Sequence, residues 1–186
     1  MRTNRTTRAL GALSITLALT LSACGGDESA DDHNDADVAF ASGMIPHHTQ
    51  ALEMVEMTEG RPLDPEVQAL AEDIRQAQAP EIETMSGWLE QWGEDVPDTA
   101  GATDDMAGMA GMEGMMSAED MTALGDAPDV EFGDLWLEMM IEHHTGAVTM
   151  AEAEQDEGGY QPAIDLAGAI IESQSAEIEV MESLLS

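Results

Sequence analysis

Two pairs of adjacent histidines, each flanked by methionines, are the residues of this chain best suited to chemistry. His47 and His48 form the first pair, and His143 and His144 form the second. One methionine lies three residues before each pair's first histidine and another lies seven residues after it, so both thioethers share a helix face with that imidazole. These methionines are Met44, Met54, Met140 and Met150. Imidazole and thioether ligands favour soft ions, above all Cu(I).

Residues on neighbouring helices could complete such a site or explain the histidines without a metal. Met85 and Met181, or the amides of Gln78 and Gln174, could add ligands. A buried histidine is also often a core residue hydrogen-bonded to Gln or Glu, and methionine often fills cores. The candidate partners in that structural alternative are Gln78, Glu81, Gln174 and Glu177. The Glu-x-x-His motif of di-iron bundles is missing from both pairs, which disfavours hard-metal oxygen chemistry.

A second group of methionines recurs in the pattern M-x-x-M-x-x-M-x-x-M-M. Alanine and glycine fill most of the gaps, and other apolar residues are scarce. We therefore expect a flexible arm with exposed thioethers that captures Cu(I), although a low-complexity linker that happens to use methionine is the alternative. The methionines are Met106, Met109, Met112, Met115 and Met116.

The first 24 residues are typical of an export signal. A basic start is followed by an apolar stretch from Ala9 to Leu21 and then by Ser22, Ala23 and Cys24. This pattern predicts a signal peptide over residues 1–23, and the Leu-Ser-Ala-Cys ending resembles a bacterial lipobox. Lipid on Cys24 would anchor the protein to the outer face of the cytoplasmic membrane without a spanning helix. Residues 24–37 are predicted to form a flexible acidic tether.

The formal net charge of −34 excludes some partners. Without the signal peptide, only Arg61 and Arg75 oppose 39 acidic residues. Nucleic acid and anionic lipid headgroups are therefore poor partners, because both would be repelled.

An internal repeat organises the rest of the chain. The two histidine pairs, with their flanking residues, align at a shift of 96 residues, and so do Gln78–Met85 and Gln174–Met181. Each copy shows two amphipathic helical patterns separated by Gly or Pro. We predict an all-α, ferritin-like four-helix bundle over residues 38–186. It comprises one hairpin at about 38–92, a Met/Gly-rich crossover linker at about 93–128 and a second hairpin at about 129–186.

These motifs together resemble domain-of-unknown-function family 305 over residues 37–186. The residues that carry the resemblance are Met44-Ile45-Pro46-His47-His48, Ala51, Met54, Gln78, Glu81-Ile82, Met85 and Trp88-Leu89, with the corresponding residues of the second copy. The second copy departs from the pattern at Glu142, where Pro is usual, and at Leu184, which aligns with Trp88. The resemblance implies an exported ferritin-like bundle and a copper-associated role for both histidine pairs and their methionines.

The resulting interpretation is an extracytoplasmic, lipid-anchored Cu(I)-binding protein for copper buffering, carriage or resistance, with a copper-transport protein as a candidate partner. We expect no enzymatic activity. Two alternatives stay open: a metal-dependent redox bundle, and a structural or interaction lipoprotein whose histidines belong to the core.

Overall fold

The chain folds into five helices in the parts that the computed structural model describes, residues 32–98 and 113–186. They are α1 (Asp35–Glu56), α2 (Pro65–Trp92), α3 (Ala118–Asp126), α4 (Asp129–Glu157) and α5 (Gln161–Leu184). The expected all-α bundle of two hairpins joined by a long connection is confirmed. None of these five helices is long and apolar enough to cross a bilayer. The predicted signal peptide and Cys24 lie outside the described residues.

Local sequence signals set several helix ends. The side chain of Asp64 accepts the N–H of Glu66 at the start of α2, and Gly93 ends that helix in the left-handed region with φ of 79°. The short helix α3 begins with a capping box in which the side chains of Ser117 and Asp120 each accept the other's backbone N–H. These caps satisfy donors that a helix start would otherwise leave without partners.

The two central helices, α1 and α4, run antiparallel. At one end the Asn34 side-chain amide donates to the carbonyl of Glu157 at 3.0 Å, and towards the other end Trp136 Nε1 donates to the carbonyl of Met54 at 2.9 Å. The outer helix α2 packs on α1, and α5 packs on α4. Because each hairpin turn reverses the chain, the bundle has the up-down-down-up order of ferritin-like folds.

A pseudo-twofold axis passes between the two central helices at their histidines. The rings of His47 and His143 contact each other with centroids 3.8 Å apart. These residues occupy the same position in the two repeats. A twofold interface has this property, since a residue on the axis meets its own copy.

Two apolar clusters fill the bundle on either side of this axis. The Met44 cluster lies where α1 begins, and its buried members are Phe40, Ala41, Met44, Ile45, Met85, Leu89, Ala147, Ala151, Ala163, Ala167 and Ile170. The Met54 cluster lies where α1 ends, and its buried members include Ala51, Met54, Val55, Ile74, Met116, Leu124, Phe132, Trp136, Met140 and Met181. Burial of these side chains stabilises the fold without any metal.

A polar layer crosses the bundle between the two clusters. On each helix its residues fall in sequence between members of the two apolar clusters. The buried polar residues of this layer are His47, His48, Gln50, Gln78, His143, His144 and Gln174.

A buried carboxyl pair fastens the start of α1 to the turn between α4 and α5. The prediction of a flexible tether is therefore wrong for residues 34–37, because Asn34 caps α1 and Asp37 is 0% exposed. Asp37 accepts the N–H groups of Gly159 and Tyr160 at 2.9–3.1 Å. Burial, the hydrogen bond with Asp37 and the charge of Asp37 together raise the pKa of Glu154 to about 8. Burial opposes ionisation of Asp37, but hydrogen bonds from Glu154 and from the backbone outweigh it and lower the pKa of Asp37. Glu154 therefore holds a proton at neutral pH and shares it with Asp37.

Residues 113–116, here called the strap, cross α1 and α4 beside the polar layer. Gln50 donates from Nε2 to the carbonyl of Met116 at 2.9 Å, and its Oε1 accepts the Met116 N–H at 2.7 Å. The backbone of Gly114 presses against Gly146 of α4. The prediction of a flexible linker with exposed methionines is thus wrong for Met116, which is 5% exposed, because Gln50 satisfies its backbone and the Met54 cluster accepts its side chain.

The contact between the strap and α4 requires glycine at position 146. A Cβ there would collide with the carbonyl oxygen of Glu113, whereas a Cβ on Gly87, in the second-last turn of α2, would meet nothing within 4 Å. We expect Gly146→Ala to destabilise the protein by about 1–3 kcal/mol through overpacking. Gly87→Ala should stabilise it by about 0.5–1 kcal/mol because alanine favours the helix. Urea denaturation of both variants checks this, and stabilisation by Gly146→Ala would show that the strap does not pack on α4.

Candidate metal centre

All four repeated histidines are buried at the centre of the bundle. His47, His48, His143 and His144 are each 0% exposed. Helical spacing places the second histidine of each pair about 100° round the helix from the first, yet both members of each pair are buried. The two members of each pair face different neighbours. His47 and His143 contact each other across the pseudo-twofold axis, whereas His48 and His144 face the outer helices.

The second histidine of each pair bonds to a glutamate on its own hairpin. His48 Nε2 lies 2.7 Å from Glu81 Oε2, and His144 Nε2 lies 2.7 Å from Glu177 Oε2. Both glutamates had been weighed only as partners of core histidines, and the structural alternative accounts for these two bonds. The Nδ1 atoms of His48 and His144 are buried and have no hydrogen-bond partner.

The central histidines have no well-formed hydrogen bond at either nitrogen, although the backbone of Glu113 approaches His47, and the backbone of His47 approaches His143, closely enough to act to raise the pKa of each imidazole. Nδ1 and Nε2 of both His47 and His143 are buried and unpartnered, as are both amide atoms of Gln78 and Oε1 of Gln174. Buried polar atoms of native proteins nearly always have partners, since an unsatisfied one costs about 1–3 kcal/mol. Such a concentration of free imidazole nitrogens indicates a site for a ligand.

Burial keeps the central imidazoles neutral. Desolvation, followed by the nearby imidazoles of His48 and His144, lowers the pKa of His47 to about 3, although the adjacent backbone of Glu113 opposes the shift. The pKa of His143 is lowered for the same first reason, burial, and then by its histidine neighbours. At neutral pH each of these two rings therefore has one nitrogen with a lone pair that can bind a metal.

The predicted methionine ligands fall into two sets related by the pseudo-twofold axis. Met44, Met85 and Met150 belong to or pack on the Met44 cluster. Met54, Met140 and Met181 belong to the Met54 cluster. Five of these six are 0% exposed and Met150 is half-buried, so each side of the histidine layer has three thioethers within one cluster.

The linker methionines are divided by the boundary of the described residues. Met106, Met109 and Met112 lie outside the described residues. Of the two in the strap, Met115 is half-buried and Met116 belongs to the Met54 cluster. Three further methionines join or pack on that cluster; these are Met57, Met121 and Met139.

Imidazoles and carboxylates alone do not assemble a metal site in the described part of this centre. Within residues 32–98 and 113–186, no three or more His, Cys, Asp or Glu side chains come together as a group that could hold a metal ion. A complete coordination shell here would therefore need thioethers in addition to imidazoles. This donor chemistry fits a soft ion and does not fit a di-iron centre.

Comparison with known proteins identifies relatives of the whole bundle. The family model "Domain of unknown function (DUF305)" matches residues 37–185. Among solved structures, a DUF305 protein of Streptomyces coelicolor that is named as secreted has a TM-score of 0.71 and 36% identity, covering 84% of this chain and 94% of that chain. A DUF305 fragment from Deinococcus radiodurans has a TM-score of 0.71 and 29% identity, covering 82% and 96%.

The solved structures also include the protein CopM in several metal states. CopM in its Cu(I)-bound form has a TM-score of 0.65 and 32% identity, covering 80% of this chain and 94% of that chain. Cu(II)-bound, Ag-bound and apo forms of CopM match similarly. No curated protein matches the chain.

The lowered pKa values of His47 and His143 make the metal-free fold sensitive to acid. Their imidazoles take up protons below about pH 6.5 when unfolded, but they resist protonation in the folded state. Stability should therefore fall as the pH decreases below 6.5, by roughly 1.4 kcal/mol per pH unit for each histidine, until that imidazole is protonated in the folded state, which for His47 is at about pH 3. In the double variant His47→Leu, His143→Leu this part of the dependence should disappear. Urea denaturation between pH 7 and pH 4 measures it, and parallel profiles for the two proteins would contradict the assignment.

Proposed function

The chain belongs to the DUF305 family, and from that premise we propose that it is an extracytoplasmic protein that binds copper, as Cu(I), for buffering, carriage or resistance. The observation that carries the proposal is the set of buried, neutral and unpartnered nitrogens of His47 and His143. A protein that has no ligand for these nitrogens gains nothing from burying them, since each lost hydrogen bond costs stability.

The ligand types surrounding this layer support a soft ion. Three thioethers lie in the apolar cluster on each side of the histidines. Thioethers bind Cu(I) and Ag(I) well, and Mg²⁺ or Ca²⁺ poorly. The likeness to CopM, which has Cu(I)-, Cu(II)- and Ag-bound structures, supports copper as the ion carried by this chain.

A purely structural role of the histidines is the second candidate. The hydrogen bonds from His48 to Glu81 and from His144 to Glu177 favour it, because each joins the two helices of a hairpin. This role does not explain His47 and His143, whose four nitrogens have no partner. Metal binding accounts for both kinds of histidine.

The linker methionines extend the proposal to copper delivery. The strap follows Met106, Met109 and Met112 in sequence. It crosses the bundle beside His47, and the backbone of Glu113 acts to raise the pKa of that imidazole. We infer that these methionines capture Cu(I) and pass it to the polar layer. A methionine arm that must become ordered on binding would hold the ion more weakly than the bundle and exchange it faster.

Export and lipid anchoring place the protein outside the cytoplasm. The apolar segment, the Leu-Ser-Ala-Cys ending and the secreted relative support export, and Cys24 is the proposed lipid attachment site. A copper-transport protein is the proposed partner, and the role is binding, not catalysis.

Cys24→Ala should move the protein from the membrane fraction to the soluble fraction, because the lipid supplies the anchor. Unchanged detergent-phase partitioning of that variant would exclude the anchor.

Copper binding is tested by exchanging sulfur for carbon at matched positions. Met44→Leu with Met140→Leu should weaken Cu(I) affinity by about tenfold or more in competition with a Cu(I) chelator, since leucine keeps the packing and removes the ligand. The control variant Met121→Leu alters a buried methionine of α3 and should bind Cu(I) as the unaltered protein does. Equal Cu(I) affinities in all three proteins would show that Met44 and Met140 only pack in the core and do not bind copper.

The same Cu(I) competition assay distinguishes copper binding by the linker methionines from copper binding by the bundle. Replacing Met106, Met109, Met112, Met115 and Met116 with Leu should reduce the number of Cu(I) ions bound and slow loading of the bundle. Helicity should be unaffected, because leucine can replace Met116 in the Met54 cluster. Identical stoichiometry and loading rate would show that the linker methionines do not take part.

A further inference from the structure

Each hairpin repeats one pairing between a histidine and a carboxylate. His48 and Glu81 are 33 residues apart, as are His144 and Glu177, and both Nε2 to Oε2 distances are 2.7 Å. This length is typical of a charge-assisted N–H···O hydrogen bond. Two copies of one arrangement, 96 residues apart in the chain, point to a role that both halves of the protein share.

This pairing determines which nitrogen of the imidazole carries the proton. A carboxylate can only accept a hydrogen bond, so Nε2 of His48 must donate one to Glu81. In a neutral imidazole with hydrogen on Nε2, the lone pair is on Nδ1. The Nδ1 atoms of His48 and His144 are buried and have no partner. Nδ1, the nitrogen that keeps its lone pair, is therefore buried and has no hydrogen bond.

We propose that Glu81 and Glu177 are positioning residues that hold His48 and His144 in the Nε2–H tautomer, so that both imidazoles bind Cu(I) through Nδ1. The inference rests on the proposed copper-binding function and assigns the binding atoms within it. Histidine ligands of metals commonly donate their second nitrogen to a carboxylate, which fixes the ring and increases the basicity of the ligand atom. Neither glutamate would touch the ion.

The position of the two glutamates suits this role. Their side chains are 18% and 16% exposed, whereas the histidines they bond are 0% exposed. Each carboxylate is thus hydrated at the edge of the bundle while it orients a ring in the interior.

The metal-free protein offers the first test. Long-range ¹H–¹⁵N correlation spectra of ¹⁵N-labelled protein at neutral pH distinguish the two neutral tautomers from the imidazolium ion. We expect hydrogen on Nε2 and a free Nδ1 at both His48 and His144. The imidazolium form or the Nδ1–H tautomer at these residues would overturn the proposal.

Titration of the same protein with Ag(I), a stable substitute for Cu(I), offers the second test. The Nδ1 resonances of His48 and His144 should shift on binding while Nε2–H stays in place. The variant Glu81→Ala, Glu177→Ala should lose about 10- to 100-fold in Ag(I) and Cu(I) affinity. The control variant Glu83→Ala, Glu179→Ala removes two exposed carboxylates from the same helices and should retain the affinity of the unaltered protein.

The outcomes separate this inference from the function on which it rests. If the unaltered protein binds neither ion, both fail. If it binds Ag(I) tightly but through Nε2, or if both alanine variants bind equally well, copper binding stands and the positioning role is excluded. The proposal is supported if the Glu81→Ala, Glu177→Ala variant, and not the control variant, loses Ag(I) and Cu(I) affinity and shows a displaced Nδ1 signal.

Discussion

Four imidazoles buried at the meeting point of two helical hairpins are the constraint on which the rest of this structure depends. Isolated polar rings in a core lower stability, so the fold must stabilise itself elsewhere and surround them. It does so with an apolar cluster on each side, built largely from Ala, Ile, Leu and Met. The histidine layer therefore interrupts a core that would otherwise run the length of the bundle.

The two repeats contribute matching histidines to this layer, but the strap contacts the two repeats in different ways. At one repeat position the first half has Gln50 and the second has Gly146, and both residues hold residues 113–116 in place. Gln50 does so with two hydrogen bonds, and Gly146 does so by having no side chain. One connection that crosses a twofold axis must contact the two copies differently, so the halves have diverged where the linker lies.

Much of the fold follows from short-range signals in the sequence. The repeat, the helical periodicity and residues such as Asp64 and Gly93 act through neighbouring residues, and they correctly indicate two hairpins. The site is harder to predict because it depends on how the hairpins dock. Helical spacing could not show that His47 meets His143, that both imidazoles of each pair are buried, or that Met116 leaves the linker for the core. Docking angles and a partner such as Gln50, 66 residues away, decide those features.

The pseudo-twofold axis between His47 and His143 has a historical consequence. In a homodimer of one hairpin around such an axis, every substitution in the gene would appear twice in the assembled particle, once on each side. A single histidine codon would then create a facing pair of imidazoles. In one chain with two copies of the hairpin, each half can change alone. The central rings have the matched arrangement of a homodimer, whereas Gln50 and Gly146 differ at one repeat position.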